Sequence, residues 1–526
     1  MPERRTKSPK NLRCLGEKNA SHLPSPMHST AEDTSSSTGL SRRLGLLGLA
    51  ATGICSMLGA SVYVVPFMIQ RNVPGIGPYV LPAFLFAAVP ALLAALSYAI
   101  LASAMPRAGG SYIYASRGLH PYLGFVASFS QWFGLSIAIG VISYIIIPFL
   151  RDIAGAAGWM ETAALLDTGA VRVGLALALL WCFVWVNMRG VRFYERTLIP
   201  LMVLMFSLGA IVIVVGFSFE QADFAAAVLR QEDRTVPSGL ETPFRIEIFL
   251  AAAALLFSSF IGFDSIAQAG GEARRPNRNL PLAIGIAVVT VGTFYMLFTA
   301  AVYHAVPWPF VAEEALNQDI TAPGLLRYLL PAGWAVAIVG GAAIALINDL
   351  PAMLLAVSRL MFAWAEDGIF PRRIARVHPQ HHTPHIALLL SGGMATIGIL
   401  GSHFAGDFFL GIDIMVTSML VNFLLMCATV IALPHRNAAI AAQVQVLRNR
   451  RPQLMLAGLG LLLLSGFLVI HLWKDLTAKA DAWYFHSTPV WGIVMLLATA
   501  IYFWERRKLK KAGIDVKALF LKLPPE

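Results

Sequence analysis

Long apolar stretches separated by short charged segments fill most of the chain after residue 43. A helix needs roughly 17–25 mostly apolar residues to cross a bilayer, and most of these stretches reach that length without a charged residue. The fourth and sixth are shorter and need flanking residues to cross. We therefore predict an all-α integral membrane protein with twelve transmembrane helices. The charge-free windows are 44–70, 72–106, 118–150, 173–188, 197–219, 248–263, 279–312, 328–348, 377–406, 414–435, 452–473 and 482–504.

Composition supports a membrane protein and excludes several other classes. The 526 residues are 57% hydrophobic and only 13% charged, whereas soluble domains carry about 25% charged residues. A fold of this size could not present a wettable surface with so few ionic groups, which excludes a soluble enzyme and a nucleic-acid-binding module. We expect the lipid bilayer to surround the chain and expect no nucleic-acid partner.

The net charge of +11 follows from the distribution of Lys and Arg along the chain. With the N-terminus placed in the cytosol, most of the 40 basic residues fall on the cytosolic side of the twelve predicted helices. Membrane proteins carry an excess of Lys and Arg on that side. We predict a multi-pass protein of the plasma (inner) membrane with both termini in the cytosol.

Motifs for catalysis or metal binding are missing from the sequence. It contains no phosphate-binding loop, HExxH sequence or nucleophile elbow in a suitable context. The cysteines lack metal-ligand spacing, and prolines interrupt the histidines between the eighth and ninth windows. We expect neither an enzyme nor a cofactor or metal site. The cysteines are Cys14, Cys55, Cys182 and Cys427, and the histidines are His378, His381, His382 and His385.

Small residues interrupt two windows that lie five apart in the chain. The first window contains the run 53–61, Gly-Ile-Cys-Ser-Met-Leu-Gly-Ala-Ser, and the sixth contains 257–264, Phe-Ser-Ser-Phe-Ile-Gly-Phe-Asp. Such residues allow a transmembrane helix to unwind, which frees backbone N–H and C=O groups to hold an ion or a zwitterion near the membrane midplane. The alternative is that they only permit close helix packing.

Two acidic residues, Asp264 and Asp349, fall where the bilayer is expected. An ionised group at this depth is costly, so such residues usually face a cavity or a partner. No basic residue occupies the middle of any predicted helix, which favours a proton, a sodium ion or a cationic substrate group as the partner. The structural alternatives are that Asp264 caps a half-helix and that Asp349 stabilises a kink next to Pro351.

Three ordered motifs resemble those of the amino acid–polyamine–organocation (APC) family of permeases. The sequence PRAGGSYIY at 106–114 is similar to the family's loop after span 2. Residues 260–281 resemble its span 6 motif and the following loop, and residues 358–384 resemble the loop after span 8. This resemblance implies a LeuT-type fold of two inverted five-helix repeats, with two accessory C-terminal helices and the substrate between the broken spans 1 and 6.

The same resemblance implies a binding site between those two broken spans. The backbone of span 1 would receive a carboxylate, span 6 would form the opposing wall and accept an amine, and span 8 would lie near a coupling ion. The residues implied for substrate binding are Gly59, Ala60, Ser61, Ser258, Ser259, Phe260, Gly262 and Asp264, and those implied for ion coupling are Asn348 and Asp349.

Two departures from the family pattern bear on this site. The span 1 motif of the family resembles Gly-Ser-Gly-Ile-Phe, whereas residues 59–63 are Gly-Ala-Ser-Val-Tyr, so a side chain occupies the third position. Some proton-coupled members carry a lysine in span 5, but no lysine occurs here between Lys18 and Lys474. That coupling mechanism does not carry over.

The expected function is secondary active transport of an amino acid or a related small amine by alternating access, with possible coupling to a proton or sodium ion. The alternatives are an antiporter for cationic amino acids or polyamines and, in another class, a non-transporting amino acid sensor on the same fold. The expected divisions are a disordered cytosolic tail at 1–43, a transport core of spans 1–10 at 44–435, accessory spans 11–12 at 436–504, and a basic cytosolic tail at 505–526.

Overall fold

The computed structural model describes residues 40–59, 61–156, 158–237, 242–317, 320–330, 332–405, 409–478 and 483–524. The predicted N-terminal tail therefore lies outside the described residues except for its last four. Ala60, which was assigned to the substrate site, also lies outside them.

Twelve helices in the described part of the chain are long and apolar enough to cross a membrane, which confirms the predicted fold class. They are numbered here as spans 1 to 12. Their bounds are Leu46–Asn72, Gly77–Ala104, Pro121–Arg151, Gly169–Met188, Val191–Ser218, Ile246–Gln268, Pro276–Ala305, Val339–Glu366, His385–Phe404, Leu410–Arg436, Arg450–Thr477 and Ser487–Lys511.

Shorter helices connect the spans. One lies between spans 2 and 3, two lie in the connections that follow spans 3 and 5, and two lie between spans 7 and 8. Two more follow spans 10 and 12. These connecting helices are Gly110–Gly118, Met160–Asp167, Gln221–Glu232, Trp308–Asn317, Ala322–Leu326, Ala438–Ala441 and Val516–Leu519.

Span 8 differs most from its predicted window. The charge-free window 328–348 would end the span near Asp349, but the helix runs as one element from Ala332 to Glu366 and passes through Pro351. It also includes Arg359, which the search for charge-free windows assigned to a loop. Arg359 is fully buried and makes two hydrogen bonds of 3.0 and 2.5 Å to the Glu272 carboxylate. A buried partner neutralises this arginine, so a search for charge-free windows cannot detect the span around it.

The spans fall into a buried inner group and an exposed outer group. Within the apolar 18-residue stretch of each helix, 82% of span 1 and 78% of span 8 are buried, whereas only 28% of span 11 and 22% of span 12 are buried. Span 3 packs against spans 8, 9 and 10, and span 11 packs against span 10. Spans 1, 3 and 8 therefore form the interior, and spans 11 and 12 lie at the periphery, where apolar side chains face lipid.

A second buried ion pair holds the C-terminal segment against the bundle. Arg117 donates to both carboxylate oxygens of Asp367 at 2.6 and 2.8 Å. Its Nε donates to the carbonyl of Lys522 at 3.2 Å, and its guanidinium lies 5.1 Å from the ring centre of the buried Phe520. Burial alone would lower the pKa of Arg117, but the charges and hydrogen bonds of Asp367 and Tyr112 together raise it, so this arginine stays charged. Residues 516–524, assigned to a basic tail from the sequence, are thus packed onto the protein.

The Arg359–Glu272 pair should contribute strongly to stability. Replacing one partner of a buried pair leaves the other charge unpaired, which costs about 3–5 kcal/mol. We predict that Arg359→Met lowers the apparent melting temperature of the purified protein sharply. The control is Arg245→Met, which removes an ion pair to Glu247 whose side chains are 59% and 61% exposed. Because exposed pairs contribute little to stability, this variant should melt close to the wild-type temperature. Equal melting temperatures for the two variants would contradict this role of Arg359.

Candidate functional site

Span 1 is broken in the middle of the membrane. Its first half, called 1a, is the helix Leu46–Met57, and its second half, called 1b, is the helix Ser61–Asn72. Leu58 ends 1a with a non-helical backbone (φ −90°, ψ 72°). A helix end leaves its last carbonyl groups or its first N–H groups without helical partners. The break therefore exposes acceptors at the end of 1a and donors at the start of 1b.

Span 6 is broken at the equivalent place. The helix Ile246–Leu256 (6a) tightens into a 3₁₀ turn over Phe257–Phe260, the chain then becomes extended at Ile261, and a short helix (6b) resumes at Asp264–Gln268. Gly262 has a φ of +134°, a conformation that residues with a side chain rarely adopt.

The two breaks lie against each other. A Cβ atom at Gly262 would overlap the backbone carbonyl of Ser56, near the end of 1a. Beside this contact, the hydroxyls of Ser56 and Ser265 are hydrogen-bonded at 2.9 Å. Glycine is therefore required at position 262 for two reasons, its backbone angle and the close approach of 1a. The end of 1a is held directly against the start of 6b.

A tyrosine of span 7 joins the two halves of span 1. Met57 is the last residue of 1a. The hydroxyl of Tyr295 donates to its carbonyl at 3.1 Å. The same hydroxyl is hydrogen-bonded to the Ser61 hydroxyl, which lies at the start of 1b. Tyr295 is fully buried. It was not predicted from the sequence, where it lies within an apolar run that shows no distinguishing pattern.

The wall contributed by span 6 is partly aromatic. Phe260 is buried, with its ring centre 5.3 Å from that of Phe84 and 6.1 Å from that of Tyr295. The Ser259 hydroxyl is buried and has no hydrogen-bond partner among the described residues. Ser258, by contrast, donates to the carbonyl three residues earlier in its own helix at 2.7 Å. Of the two serines, Ser259 is the one whose hydroxyl lies near that of Tyr295.

Asp349 lies at the break in span 1. Its carboxylate is so close to Gly59 that a Cβ atom there would overlap it. The side chain is buried, and its Oδ1 atom has no hydrogen-bond partner within the part of the chain that the structure describes. The neighbouring Asn348 faces 1a instead, where its Nδ2 lies 2.9 Å from the sulfur of Cys55. A buried carboxylate oxygen without a partner is costly, so a cation or a donor bound there would stabilise it.

Asp264 occupies a different environment from Asp349. Its carboxylate accepts hydrogen bonds from the side chain of Gln131 and, at 3.2 Å, from the backbone N–H of Gly262. Gln131 is bonded in turn to Gln268 at 3.2 Å, and Gln268 to Ser111 at 2.7 Å. This network connects spans 3 and 6 with the helix Gly110–Gly118. The carboxylate therefore bonds to the extended segment before 6b and does not cap the first turn of 6b, where Phe263 holds the cap position and its side chain makes no capping bond.

The structure thus divides the residues assigned to the site. Those gathered at the break in span 1 include Gly59, Ser61 and Asp349, and Ser259 and Phe260 lie on the facing wall. Gly262 joins the two broken helices, whereas Ser258, Asp264 and Asn348 are hydrogen-bonded to groups outside this cluster.

Comparison with known proteins adds a family to this geometry. The family described as amino acid permease matches residues 44–498 of this chain. The chain is similar to cationic amino acid transporter 4 of Mus musculus, with 29% identity over 401 residues, which are 70% of this chain and 57% of that protein. It therefore spans little more than half the length of that relative.

Two bacterial proteins are similar along nearly their whole length. The branched-chain amino acid permease BcaP of Bacillus subtilis is 25% identical over 502 residues, which cover 91% of this chain and 96% of that protein. A methylthioribose transporter of the same species is 24% identical over 493 residues, again covering 91% and 96%.

The break in span 6 should not tolerate a side chain at position 262. We predict that Gly262→Ala lowers the free energy of unfolding by about 1–3 kcal/mol from backbone strain alone, and by more because the added Cβ meets the Ser56 carbonyl. The control is Gly285→Ala in span 7, where a Cβ atom would meet nothing within 4 Å. That change should leave stability unaltered or raise it slightly, since alanine is the better helix former. Melting curves of the two purified variants check this, and a wild-type curve for Gly262→Ala would contradict it.

Proposed function

This chain belongs to the amino acid permease family, as its motifs predicted, and we propose that it is a secondary transporter that moves an amino acid or a related small amine by alternating access. It is a multi-pass integral membrane protein with twelve apolar helices among the described residues. The observation that carries the proposal is the contact between two broken helices, which places helix ends of opposite polarity at one buried location.

The electrostatics of this location suit a zwitterion. The N-terminal end of a helix favours negative charge, and its C-terminal end favours positive charge. Half-helix 1b begins at Ser61 and half-helix 1a ends at Met57, so the two ends of opposite polarity are only a few residues apart. A carboxylate bound at Ser61 and an ammonium bound near Met57 would satisfy both ends with one molecule.

A cationic amino acid or a polyamine is the second candidate substrate. Asp349 supports it, because its buried Oδ1 atom has no hydrogen-bond partner among the described residues. A relative named as a cationic amino acid transporter points the same way, although another is named as a branched-chain amino acid permease. An additional positive group on the substrate would pair with Asp349.

Asp349 is also our candidate for coupling transport to a driving ion. The sequence has no lysine between Lys18 and Lys474, so the span 5 ammonium used by some family members is missing. A proton on Asp349, or a sodium ion bound to its oxygens and to the carbonyls freed at the break in span 1, would take its place. The contact between Asp349 and Gly59 would link the occupancy of this ion site to the conformation of span 1.

We infer that the protein lies in the plasma (inner) membrane with both termini in the cytosol. The excess of Lys and Arg in the segments on the side of the termini supports this orientation. An epitope attached after Glu526 should bind antibody only after cells are permeabilised. Labelling of intact cells would reverse the orientation.

Transport is tested by reconstitution. We expect purified protein in liposomes to accumulate a labelled amino acid when a proton or sodium gradient is imposed. A thermal-shift screen of amino acids and polyamines would select the substrate, because a ligand of the folded state raises apparent stability. A sensor on the same fold would show the thermal shift but no accumulation. That result would overturn the proposal.

Asp349→Asn preserves the size of the side chain and removes its charge. For a neutral amino acid, which has no additional positive group to pair with Asp349, we predict that this variant loses uphill accumulation but still binds substrate and exchanges it across the membrane. The measurement compares gradient-driven uptake with exchange in the same liposomes.

The matched variant is Asp264→Asn, which alters the other acid that is buried in the described part of the spans. Gln131 and Gly262 remain as its partners. We expect it to retain coupling. If Asp349→Asn accumulated substrate with unchanged pH and sodium dependence while Asp264→Asn did not, the coupling role would belong to Asp264.

A further inference from the structure

We propose that the hydroxyl of Tyr295 competes with a zwitterionic substrate for two groups at the break in span 1, and that it thereby sets substrate affinity. The inference rests on the proposed function, since it assumes that the substrate binds between the two halves of span 1. It concerns a positioning residue on span 7 that contacts both half-helices.

The direction of the hydrogen bonds follows from counting hydrogens. A tyrosine hydroxyl has one hydrogen to donate and lone pairs to accept with. That hydrogen is directed at the Met57 carbonyl, 3.1 Å away. The bond between Tyr295 and Ser61 must then be donated by Ser61. The Ser61 hydroxyl therefore donates to the tyrosine oxygen, and the tyrosine hydroxyl donates to the Met57 carbonyl.

A zwitterion presents the same two functions. Its carboxylate accepts from the Ser61 hydroxyl and the first N–H groups of 1b, and its ammonium donates to the Met57 carbonyl. The tyrosine oxygen thus stands where a carboxylate oxygen would bind, and the tyrosine hydrogen stands where an ammonium hydrogen would bind. A substrate that uses these groups must break both hydrogen bonds of the tyrosine. The loss of these two bonds makes the net free energy of substrate binding less favourable.

Because the site is buried, a displaced tyrosine hydroxyl needs a new hydrogen-bond partner inside the protein. Tyr295 is fully buried, and Ser259 and Asp349 in the same region each hold a buried oxygen without a hydrogen-bond partner among the described residues. A hydroxyl displaced from Met57 and Ser61 can therefore find new acceptors without leaving the site. Tyr295 would move between two bonded positions as substrate binds and leaves.

A second tyrosine on span 7 provides a matched control. The Tyr303 hydroxyl donates to the carbonyl of Pro66 in half-helix 1b at 2.8 Å. Like Tyr295, it is a span 7 hydroxyl bonded to a span 1 backbone carbonyl, but its partner lies within 1b, away from the break. Tyr303→Phe and Tyr295→Phe each remove one hydroxyl that donates to a span 1 carbonyl, so an effect that comes only from losing such a bond should appear in both variants.

The experiment measures KM and maximal rate in proteoliposomes for wild type and both variants. The probes are L-leucine and L-arginine, and each is paired with the amine that lacks its carboxylate, isoamylamine and agmatine. We expect Tyr295→Phe to lower KM for the transported amino acid by about threefold to tenfold, which corresponds to a net hydrogen bond. We expect a smaller change for the corresponding amine, which cannot use Ser61. Tyr303→Phe should leave both KM values as in wild type.

Two results would overturn the inference. A higher KM for the amino acid in Tyr295→Phe would mean that the hydroxyl binds the substrate directly, and an equal effect in the two tyrosine variants would mean a structural role. Should Tyr295→Phe not purify as folded protein, Tyr295→Met also removes the hydroxyl and tests the same point. Failure of wild-type protein to carry or bind either amino acid would instead count against the proposed function, so the two failures are distinguishable.

Discussion

In the hydrocarbon core of a bilayer, every backbone polar group must find a partner inside the protein. An unbroken helix meets this constraint by itself. Spans 1 and 6 do not, because both unwind at mid-membrane. The surrounding structure supplies the missing partners. Tyr295 bonds the end of half-helix 1a, and Asp264 accepts from the backbone of Gly262 where span 6 resumes. The arrangement of spans 3 and 7 around the breaks follows from this need.

The buried ion pairs address a related constraint at the end of the bundle where the C-terminal segment lies. Arg359 pairs with Glu272, and the backbone of Glu272 accepts a hydrogen bond from Leu44 at 2.9 Å. Span 8, the loop after span 6 and the segment before span 1 are thus joined at one point. Because both broken spans connect to this junction, a movement of one half-helix would be transmitted to the other. The alternating access that we propose would require such a mechanical coupling.

The sequence was sufficient to predict the architecture, because apolar length is a direct consequence of bilayer thickness. All twelve spans were predicted, and both breaks fell within the runs of small residues. The bounds of span 8 were wrong because the charge of Arg359 is cancelled by Glu272, a residue 87 positions away. Similarly, the sequence does not reveal that Tyr295 and Gln131 lie beside the breaks. Their positions follow from contacts with segments that are distant in the chain. Local pattern predicts where a helix breaks, but the groups that satisfy the break are set by tertiary packing.

The central claim is that the two broken helices form a site which opens to either side of the membrane in turn. The most direct test is counterflow in liposomes loaded with unlabelled amino acid and placed in labelled amino acid of lower concentration, with no ion gradient. The account predicts that label accumulates transiently above its equilibrium level, because one site exchanges internal for external substrate. Simple equilibration of the label, or none entering, would contradict the account.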